Sequence, residues 1–575
     1  MEAQHHVLTL VLGLALARCG DDPIKVPAAT TYPAGGSVGV GSVLPNLLFE
    51  GVDERTVAGT IHLADYYEPA AAAPHLLVVR VEGGVWCGTC RWHAAHTGEL
   101  LSGERGSRLR VLDLVIGNRD NAPASTGDIG EWRALVDTPV ATAVDPSFSL
   151  RALFPTAGAI LPLFVFVDTK TMRIISQSPN PNPVELSHDV DTALATIDGR
   201  PAPPPPAAEV LVDGVFHRNE WEMLHDVTTP GAPPADPTNA AADSTAAAAL
   251  GRSLFFDQGL SPSGRVACAT CHDPQKQLSD GLPQSKGLAL GTRRTPRIAL
   301  AAFSRWQFWD GRADSQWAQA LGPLENEDEM GSSRVYVVQR VAASFASSYQ
   351  AAFPGDALPD VRRLPSEGKP GAAAYDSLSD ADQDAVTRAF VNVGKAIAAF
   401  ERTFRARPSR LDAYAAGDFT ALAPLEKQGL SVFLGVGCMQ CHWGPRLTDD
   451  AFHVTRTPTG RRDGQADNGR ADGLAKLSAS EFRASSKWSD AEHASTSFAL
   501  PNTSQGAFKT PSLRGVATGA PYGHGGEQPT LIDVMTSYGT GGTNDASSAG
   551  LREPWLTRFP TTAQWSIAAF LNSAP

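Results

Sequence analysis

Two short stretches, Cys268-Ala269-Thr270-Cys271-His272 and Cys438-Met439-Gln440-Cys441-His442, decide the fold of the second half of the chain. In each, two residues separate a pair of cysteines, and a histidine follows the second cysteine directly. This spacing is typical of c-type haem attachment, in which the cysteines hold the haem covalently and the histidine ligates the iron. The two motifs predict two covalently bound haem c groups.

A third cysteine pair, Cys87 and Cys90, is followed by arginine instead of histidine. It lies in Trp86-Cys87-Gly88-Thr89-Cys90, between strand-like apolar runs, with a plausible helix directly after it. The runs are 75–81, 109–116 and 161–168, and Pro162 opens the last one.

This order of elements resembles the thioredoxin fold, in which a Trp-Cys-x-x-Cys turn opens a helix and a cis-proline faces the dithiol. The resemblance makes Cys87 the nucleophile, because a helix N-terminus stabilises a thiolate. It makes Cys90 the resolving thiol and Pro162 the cis-proline. A structural disulfide is the alternative, and a zinc site is disfavoured because no second such pair lies nearby.

The composition describes a globular chain of several domains. It has 575 residues, of which 42% are hydrophobic and 19% charged, so neither disorder nor a coiled coil fits. The formal net charge is -13. Because the chain lacks the basic surplus that phosphate neutralisation requires, we expect no nucleic-acid partner.

The N-terminus has the features of an export signal. Val7–Ala17 is one apolar run, too short to span a bilayer and of the length of a signal-peptide core. Cys19 follows Leu16-Ala17-Arg18, which resembles a lipobox except at Arg18. We expect a lipid anchor at Cys19, with plain secretion, a misplaced start or an ordinary buried cysteine as alternatives.

Two stretches in the middle of the chain are predicted to be linkers. Pro201–Pro206 favours extended polyproline geometry, and 228–249 has no large apolar residue with which to build a core. Between them, apolar residues are expected to dock the segment on a neighbouring domain: Val212, Val215, Phe216, Trp221 and Leu224.

From Leu250 onward the sequence resembles the bacterial di-haem cytochrome c peroxidase/MauG family. Besides the two haem motifs, the matching stretches are Leu250–Asp257, Asp273-Pro274, Phe308–Arg312, Glu329-Met330, Phe508–Arg514 and Pro521–His524. The resemblance implies that His272 marks the peroxidatic haem and that His442 belongs to a haem that stores and relays electrons.

The resemblance also implies roles for two residues near the first haem. A peroxidase needs a group that moves the peroxide proton to the leaving oxygen, and Glu329 takes this position, with Glu325 and Glu327 as alternatives. Trp309 resembles the family tryptophan that lies between the two haems. A core tryptophan is the alternative for Trp309.

The distal ligands are the open question. No histidine lies between His272 and His442, so the loop histidine that caps the oxidised peroxidatic haem in many family members is missing. The first haem should therefore be open to peroxide unless Met330 or Lys286 replaces that ligand. For the second haem, alignment with the family favours Tyr538 as ligand over Met535, and the remaining alternative is that both are core residues.

We therefore expect a multidomain chain, in which an α/β thioredoxin-like domain precedes two mainly α-helical cytochrome c-type haem domains. The predicted divisions are a signal segment 1–20, the thioredoxin-like domain 35–200, a linker 201–249, the first haem domain 250–425 and the second 426–575.

The resemblance implies a periplasmic or envelope enzyme that reduces hydrogen peroxide with electrons from a small donor protein, a cytochrome c or a cupredoxin. A MauG-like oxidase, which uses peroxide to oxidise a protein or small-molecule partner, is the alternative. A module for electron transfer alone is disfavoured, because such a module has no use for an acid/base group at Glu329.

Overall fold

The computed structural model describes residues 31–35, 38–154, 160–459, 465–491, 505–543, 548–556 and 558–573. The predicted signal segment with Val7–Ala17 and Cys19 lies outside them. Within these residues the strands are β1 Leu48–Val52, β2 Ala58–His62, β3 Leu76–Glu82, β4 Leu109–Val115, β5 Ala141–Val144, β6 Leu163–Asp168, β7 Arg173–Pro179, β8 Phe452–His453 and β9 Phe508–Lys509.

The helices of the same residues are α1 Gly88–Ala95, α2 Thr97–Leu100, α3 Gly103–Gly106, α4 Ile129–Arg133, α5 Pro183–Ile197, α6 Arg218–His225, α7 Thr245–Phe255, α8 Cys268–Cys271, α9 Gln316–Glu325, α10 Arg334–Ser344, α11 Ala346–Ala352, α12 Ala373–Asp376, α13 Asp380–Glu401, α14 Arg410–Ala415, α15 Pro424–Gly435, α16 Arg470–Ala479, α17 Leu531–Thr540 and α18 Thr561–Ser573.

Seven strands form one mixed sheet in the order β2-β1-β5-β4-β3-β6-β7. The central strands β3, β4 and β5 run parallel, and β6 pairs antiparallel with β3. All of β3 is buried, because its alternate side chains pack on opposite faces of the sheet. Leu76 and Val78 face α5, whereas Val79 and Val81 lie in the core that contains Cys87 and Cys90. The predicted thioredoxin-like fold is confirmed.

The first haem domain is a helical bundle built around α13. This helix starts at its N-cap Ser379 and packs against α7 and α9. Its apolar face shares one core with Leu254, Trp317 and Val338. The helix α7 begins at Thr245, inside the stretch that the sequence assigned to the linker, because Ser244 caps it and Ala247 and Leu250 are buried.

The second haem domain packs α15 against α18 and α18 against α17. The segment before the first haem domain docks on this core, with Phe216 and Leu224 buried among its residues, as the sequence predicts. A short ladder pairs β8 with β9. Of the helices in the part of the chain that the structure describes, none is both long and apolar enough to cross a membrane.

Candidate functional site

The first attachment motif has the geometry that a covalently held haem requires. Cys268 and Cys271 lie on α8 with free thiols. His272 donates from Nδ1 to the carbonyl oxygen of Leu278 at 3.0 Å, so its Nε2 is left free for a metal. Burial lowers the pKa of His272, which keeps the ring neutral and able to ligate.

A cavity of about 540 Å³ opens beside this motif. Cys271 and His272 contribute to one wall, and Glu329 and Trp309 to others. The second haem domain closes the cavity with residues of the predicted stretches 508–514 and 521–524. The cavity is therefore shared by both haem domains.

Glu329 is the glutamate of its acidic run that reaches this cavity. Asn326 Nδ2 donates to Glu329 Oε1 at 2.7 Å. Burial raises the pKa of Glu329, partly offset by the positive charge of Arg312. By contrast, Glu325 pairs with Arg334 at 3.1 Å, and the side chain of Glu327 is 89% exposed.

The loop 282–297, where many family members carry the capping histidine, is tied to Glu329 by its backbone. Leu288 N donates to Glu329 O at 3.0 Å, and Ala289 N to Asp328 O at 2.9 Å. Lys286 in this loop is exposed, and Met330 is buried in the core of the first haem domain. Neither side chain is among the described residues that line the cavity.

Trp309 lies between the two haem domains. Its Nε1 donates to the carbonyl oxygen of Arg294 at 3.0 Å, and its carbonyl accepts from Lys509 N at 2.9 Å. Its ring lies 6.4 Å from that of His524, measured between centroids. These contacts hold the indole in a fixed orientation on the wall of the shared cavity.

The second attachment motif repeats the geometry of the first. Cys438 and Cys441 are free thiols, and His442 Nδ1 donates to Leu447 O at 3.0 Å. Burial lowers the pKa of His442. The described residues of both motifs thus fit a covalently held haem, with the cysteine sulfurs and the histidine Nε2 available to it.

The two candidate distal ligands of the second haem differ in their surroundings. Burial raises the pKa of Tyr538 above its usual range, and the charges of Cys441 and Cys438 raise it further. Its side chain packs against the same apolar core as Cys438. Met535 is buried in the apolar core with Leu531. Tyr538 therefore stays the predicted ligand, with Met535 as the alternative.

His453 is a buried residue of this site that the sequence analysis missed. Its Nε2 bonds Asp449 at 2.8 Å and its Nδ1 bonds Glu553 at 2.8 Å, so both ring nitrogens donate to carboxylates. Burial lowers its pKa, but Cys441, Glu553 and Asp449 together raise it well above the usual value. A single histidine in an apolar run gives no sequence signal for this arrangement.

The third cysteine pair forms a disulfide between Cys87 and Cys90. Cys87 is the N-cap of α1, and its sulfur accepts from Cys90 N at 3.2 Å, so it lies at the helix N-terminus as the sequence predicts. The peptide bond between Leu161 and Pro162 is cis, so this prediction is confirmed. Thr89 Oγ1 donates to Leu161 O at 2.6 Å and joins the two segments.

Glu82, which ends β3 below the disulfide, was also missed. Its carboxylate is fully buried and lacks a hydrogen-bond partner among the described residues. Arg80 lies 3.5 Å away but bonds Asp113 at 2.7 Å instead. Burial raises the pKa of Glu82 well above its usual value, and the opposing charge of Arg80 is the smaller effect.

Fold and sites together define a c-type haem protein with two attachment sites, fused to a thioredoxin-like domain. Residues 245–420 match the family described as di-haem cytochrome c peroxidase. The chain is 33% identical over 314 residues to the methylamine utilization protein MauG of Methylorubrum extorquens, which spans 53% of this chain and 72% of that protein.

The chain is also similar to two peroxidases. The cytochrome c551 peroxidase of Pseudomonas aeruginosa is 30% identical over 297 residues, covering 50% of this chain and 70% of that protein. The crystal structure of the diheme peroxidase BthA from Burkholderia thailandensis has 22% identity and a TM-score of 0.46, covering 60% of this chain and 91% of that one.

The chain therefore belongs to the di-haem cytochrome c peroxidase/MauG family. It is an oxidoreductase of this type and carries two haem c groups, one at each attachment motif.

Proposed function

We propose that the protein is an exported di-haem c peroxidase that reduces hydrogen peroxide at the first haem with electrons relayed from the second. The observation that supports this best is Glu329, whose carboxyl lines the same cavity as Cys271 and His272. When bound, the haem groups supply iron that accepts and releases single electrons.

Glu329 moves the proton in this proposal. Its carboxyl takes the proton from one peroxide oxygen and gives it to the other, which leaves as water. Burial, which raises its pKa, brings the carboxyl nearer to the pH at which a group both accepts and releases protons. Asn326 fixes its orientation through the bond to Oε1.

The open distal side supports direct access of peroxide. The loop 282–297 has no histidine, and the two possible replacements do not line the cavity among the described residues, because Lys286 is exposed and Met330 lies in the core. The oxidised enzyme then needs no reductive activation. We further propose that electrons come from a small cytochrome c or cupredoxin outside the cytoplasm, where c-type haem is attached in bacteria.

A second candidate function is a MauG-like oxidation of a protein or small-molecule partner. Tyr538 packs against the same core as Cys438 and supports this candidate, because a tyrosine ligand would give the second haem an anionic oxygen. Trp309, on the wall between the domains, is the residue proposed to carry electrons between the haems.

Glu329→Gln tests the proposed peroxidase. The amide keeps the size of the side chain but cannot shuttle the proton, so peroxide consumption by the holoprotein should fall about 10² to 10⁴-fold. Haem content, measured as the pyridine haemochrome, should stay at two per chain.

The matched control is Glu327→Gln, two residues away on the exposed side of the same run, which should keep the wild-type rate. A Glu329→Gln protein that consumes peroxide at a near-normal rate would transfer the proton step to another group.

A further inference from the structure

The disulfide of the thioredoxin-like domain lies directly under the second haem-attachment loop. Both Cys87 and Cys90 are 0% exposed. A Cβ atom at Gly88, between the two cysteines, would lie 2.5 Å from Met439 O and 2.7 Å from Trp443 Cγ. The dithiol turn and the attachment loop are therefore in backbone contact, with no room for a side chain between them.

Hydrogen bonds hold the two segments together. Leu161 N, next to the cis-proline, donates to Gln440 Oε1 at 2.9 Å, and Gln440 is 1% exposed. Trp443 Nε1 donates to Trp86 O at 2.6 Å. The guanidinium of Arg91 lies 4.5 Å from the centre of the Trp443 ring. Because hydrogen bonds are directional, these contacts fix the orientation of the dithiol turn relative to the attachment loop.

Two consequences follow for the dithiol. A partner protein cannot reach the sulfurs while these surfaces are in contact, so thiol–disulfide exchange with an external protein is blocked. Trp443 directly follows the haem ligand His442, and its indole bonds the carbonyl that directly precedes Cys87. One hydrogen bond therefore joins the ligand segment of the second haem to the cysteine segment.

We propose that the Cys87/Cys90 dithiol is an internal electron donor toward the second haem, and that Trp443 makes the electronic contact. The inference rests on the proposed peroxidase function. Oxidation of the two thiols forms one S–S bond and releases two electrons and two protons. Reduction of one hydrogen peroxide breaks its O–O bond, consumes two electrons and two protons, and gives two waters. Once a small-molecule thiol has reduced the disulfide, the pair stores the electrons for one turnover.

The experiment uses the full-length holoprotein without an external electron donor. The protein is reduced with dithiothreitol, desalted under anaerobic conditions and mixed with two equivalents of hydrogen peroxide. Two equivalents are needed because two reduced haems can supply the electrons that the first equivalent consumes. Samples are quenched in acid, denatured and alkylated, and mass spectrometry counts the free thiols on the Cys87–Cys90 peptide. Residual peroxide is measured in parallel. We expect both thiols to be lost as the peroxide disappears.

Variants test the route. Trp443→Phe removes the indole N–H that bonds Trp86 O, and thiol loss should slow at least about 10-fold. Trp92→Phe is the matched control, because Trp92 lies on α1 with Cys90 but donates to Glu222, so its rate should stay at the wild-type value. Glu329→Gln should slow thiol loss together with peroxide consumption.

Any other outcome overturns the proposal, and the outcomes can be told apart. Thiols that persist while peroxide is consumed leave the peroxidase standing and remove the internal donor. Peroxide that is not consumed removes both. Thiol loss unaffected by Glu329→Gln and Trp443→Phe would mean direct attack of peroxide on the thiols. A disulfide that dithiothreitol does not reduce in the native protein has no electrons to give and also ends the proposal.

Discussion

Glu401 is a buried carboxyl at the end of α13, close enough to Cys268 for its charge to act on that thiol. Gln316 Nε2 donates to its Oε2 at 2.8 Å. Burial raises the pKa of Glu401 from 4.5 to about 7, against the smaller effect of this bond. The folded protein therefore holds a proton here at a pH where the unfolded chain has released it.

This difference predicts a pH-dependent gain in stability for Glu401→Gln. Below the unfolded pKa of 4.5 the group is protonated in both states. As pH rises from there to about 7, the wild type loses roughly 3 kcal/mol, and the loss is constant above that. The variant lacks the titration, so its thermal midpoint should exceed that of the wild type at pH 8 but not at pH 4.5.

The exposed Glu104 supplies the control, since Glu104→Gln should follow the wild-type curve. A gap between Glu401→Gln and the wild type that is the same at both pH values would show that the buried carboxyl does not titrate in this range.

The two candidate ligands of the second haem, Tyr538 and Met535, predict opposite effects of substitution. If Tyr538 is the ligand, Tyr538→Phe should change the absorption and electron paramagnetic resonance spectra of one haem of the oxidised protein. Met535→Leu, a volume-conserving change in the core, should leave the spectra intact and cost under about 1.5 kcal/mol of stability. The reverse pattern would identify an ordinary methionine-ligated peroxidase and weaken the oxidase candidate.

At the scale of residues, the sequence predicted site residues only where they belong to a recognisable local motif. The haem motifs follow from local spacing and Glu329 from the family resemblance, and the structure places Cys271, His272 and Glu329 on one cavity. Glu82 and His453 could not be predicted, because their character comes from burial and from partners far away in sequence. Glu553, for example, lies 100 positions from His453.

At the scale of elements, the loop 282–297 positions Glu329 as well as leaving the distal side open. A Cβ at Gly287 would lie 2.6 Å from both Glu329 Cα and Glu329 O. Gly287→Ala should push the two segments apart and lower the rate of peroxide consumption, by up to about 10²-fold for a displacement of 1 Å.

Gly355→Ala, at an exposed glycine with no atom within 4 Å of the added Cβ, is the control and should be silent. Thermal midpoints separate a local effect from unfolding. A Gly287→Ala enzyme with wild-type activity would show that the loop 282–297 accommodates the methyl group without displacing Glu329.

Elements with strong periodic patterns were predictable, and weakly patterned ones were not. The apolar runs that became β3, β4 and β6 were found because buried central strands are continuously hydrophobic. The start of α7 was not predicted, because its first turns are alanine-rich and resemble a linker. There, Ser244 as N-cap and burial against α13 decide the structure.

At the scale of the whole molecule, the thioredoxin-like domain contacts both haem domains. Trp306 Nε1 of the first haem domain donates to Asp120 Oδ1 at 2.6 Å. Asn121 Nδ2 donates to Glu553 Oε1 at 2.8 Å in the second. The sequence predicted three modules in the right order but gave no sign of these contacts, because nothing local encodes a bond such as that of Leu161 to Gln440, 279 positions apart.

These contacts predict that the covalent link between the thioredoxin-like and haem domains is dispensable for their association. A protease site introduced into 201–206 and cut in the native holoprotein should give two fragments that elute together in size-exclusion chromatography. Buried hydrogen bonds and the Trp86–Trp443 contact hold them, so the complex should survive high salt, which screens only exposed charges.

Asn121→Gly provides the comparison, because glycine tolerates the left-handed backbone of this position, with φ of 57°. The change leaves Glu553 and the carbonyl of Phe452 without one donor, which should weaken the association by roughly 1 to 3 kcal/mol and let the cut fragments separate at lower concentration. Fragments of the otherwise unaltered chain that separate without denaturant would mean that the domains touch only while they are linked. The second haem-attachment loop would then not permanently cover the disulfide, and external proteins would gain access to Cys87.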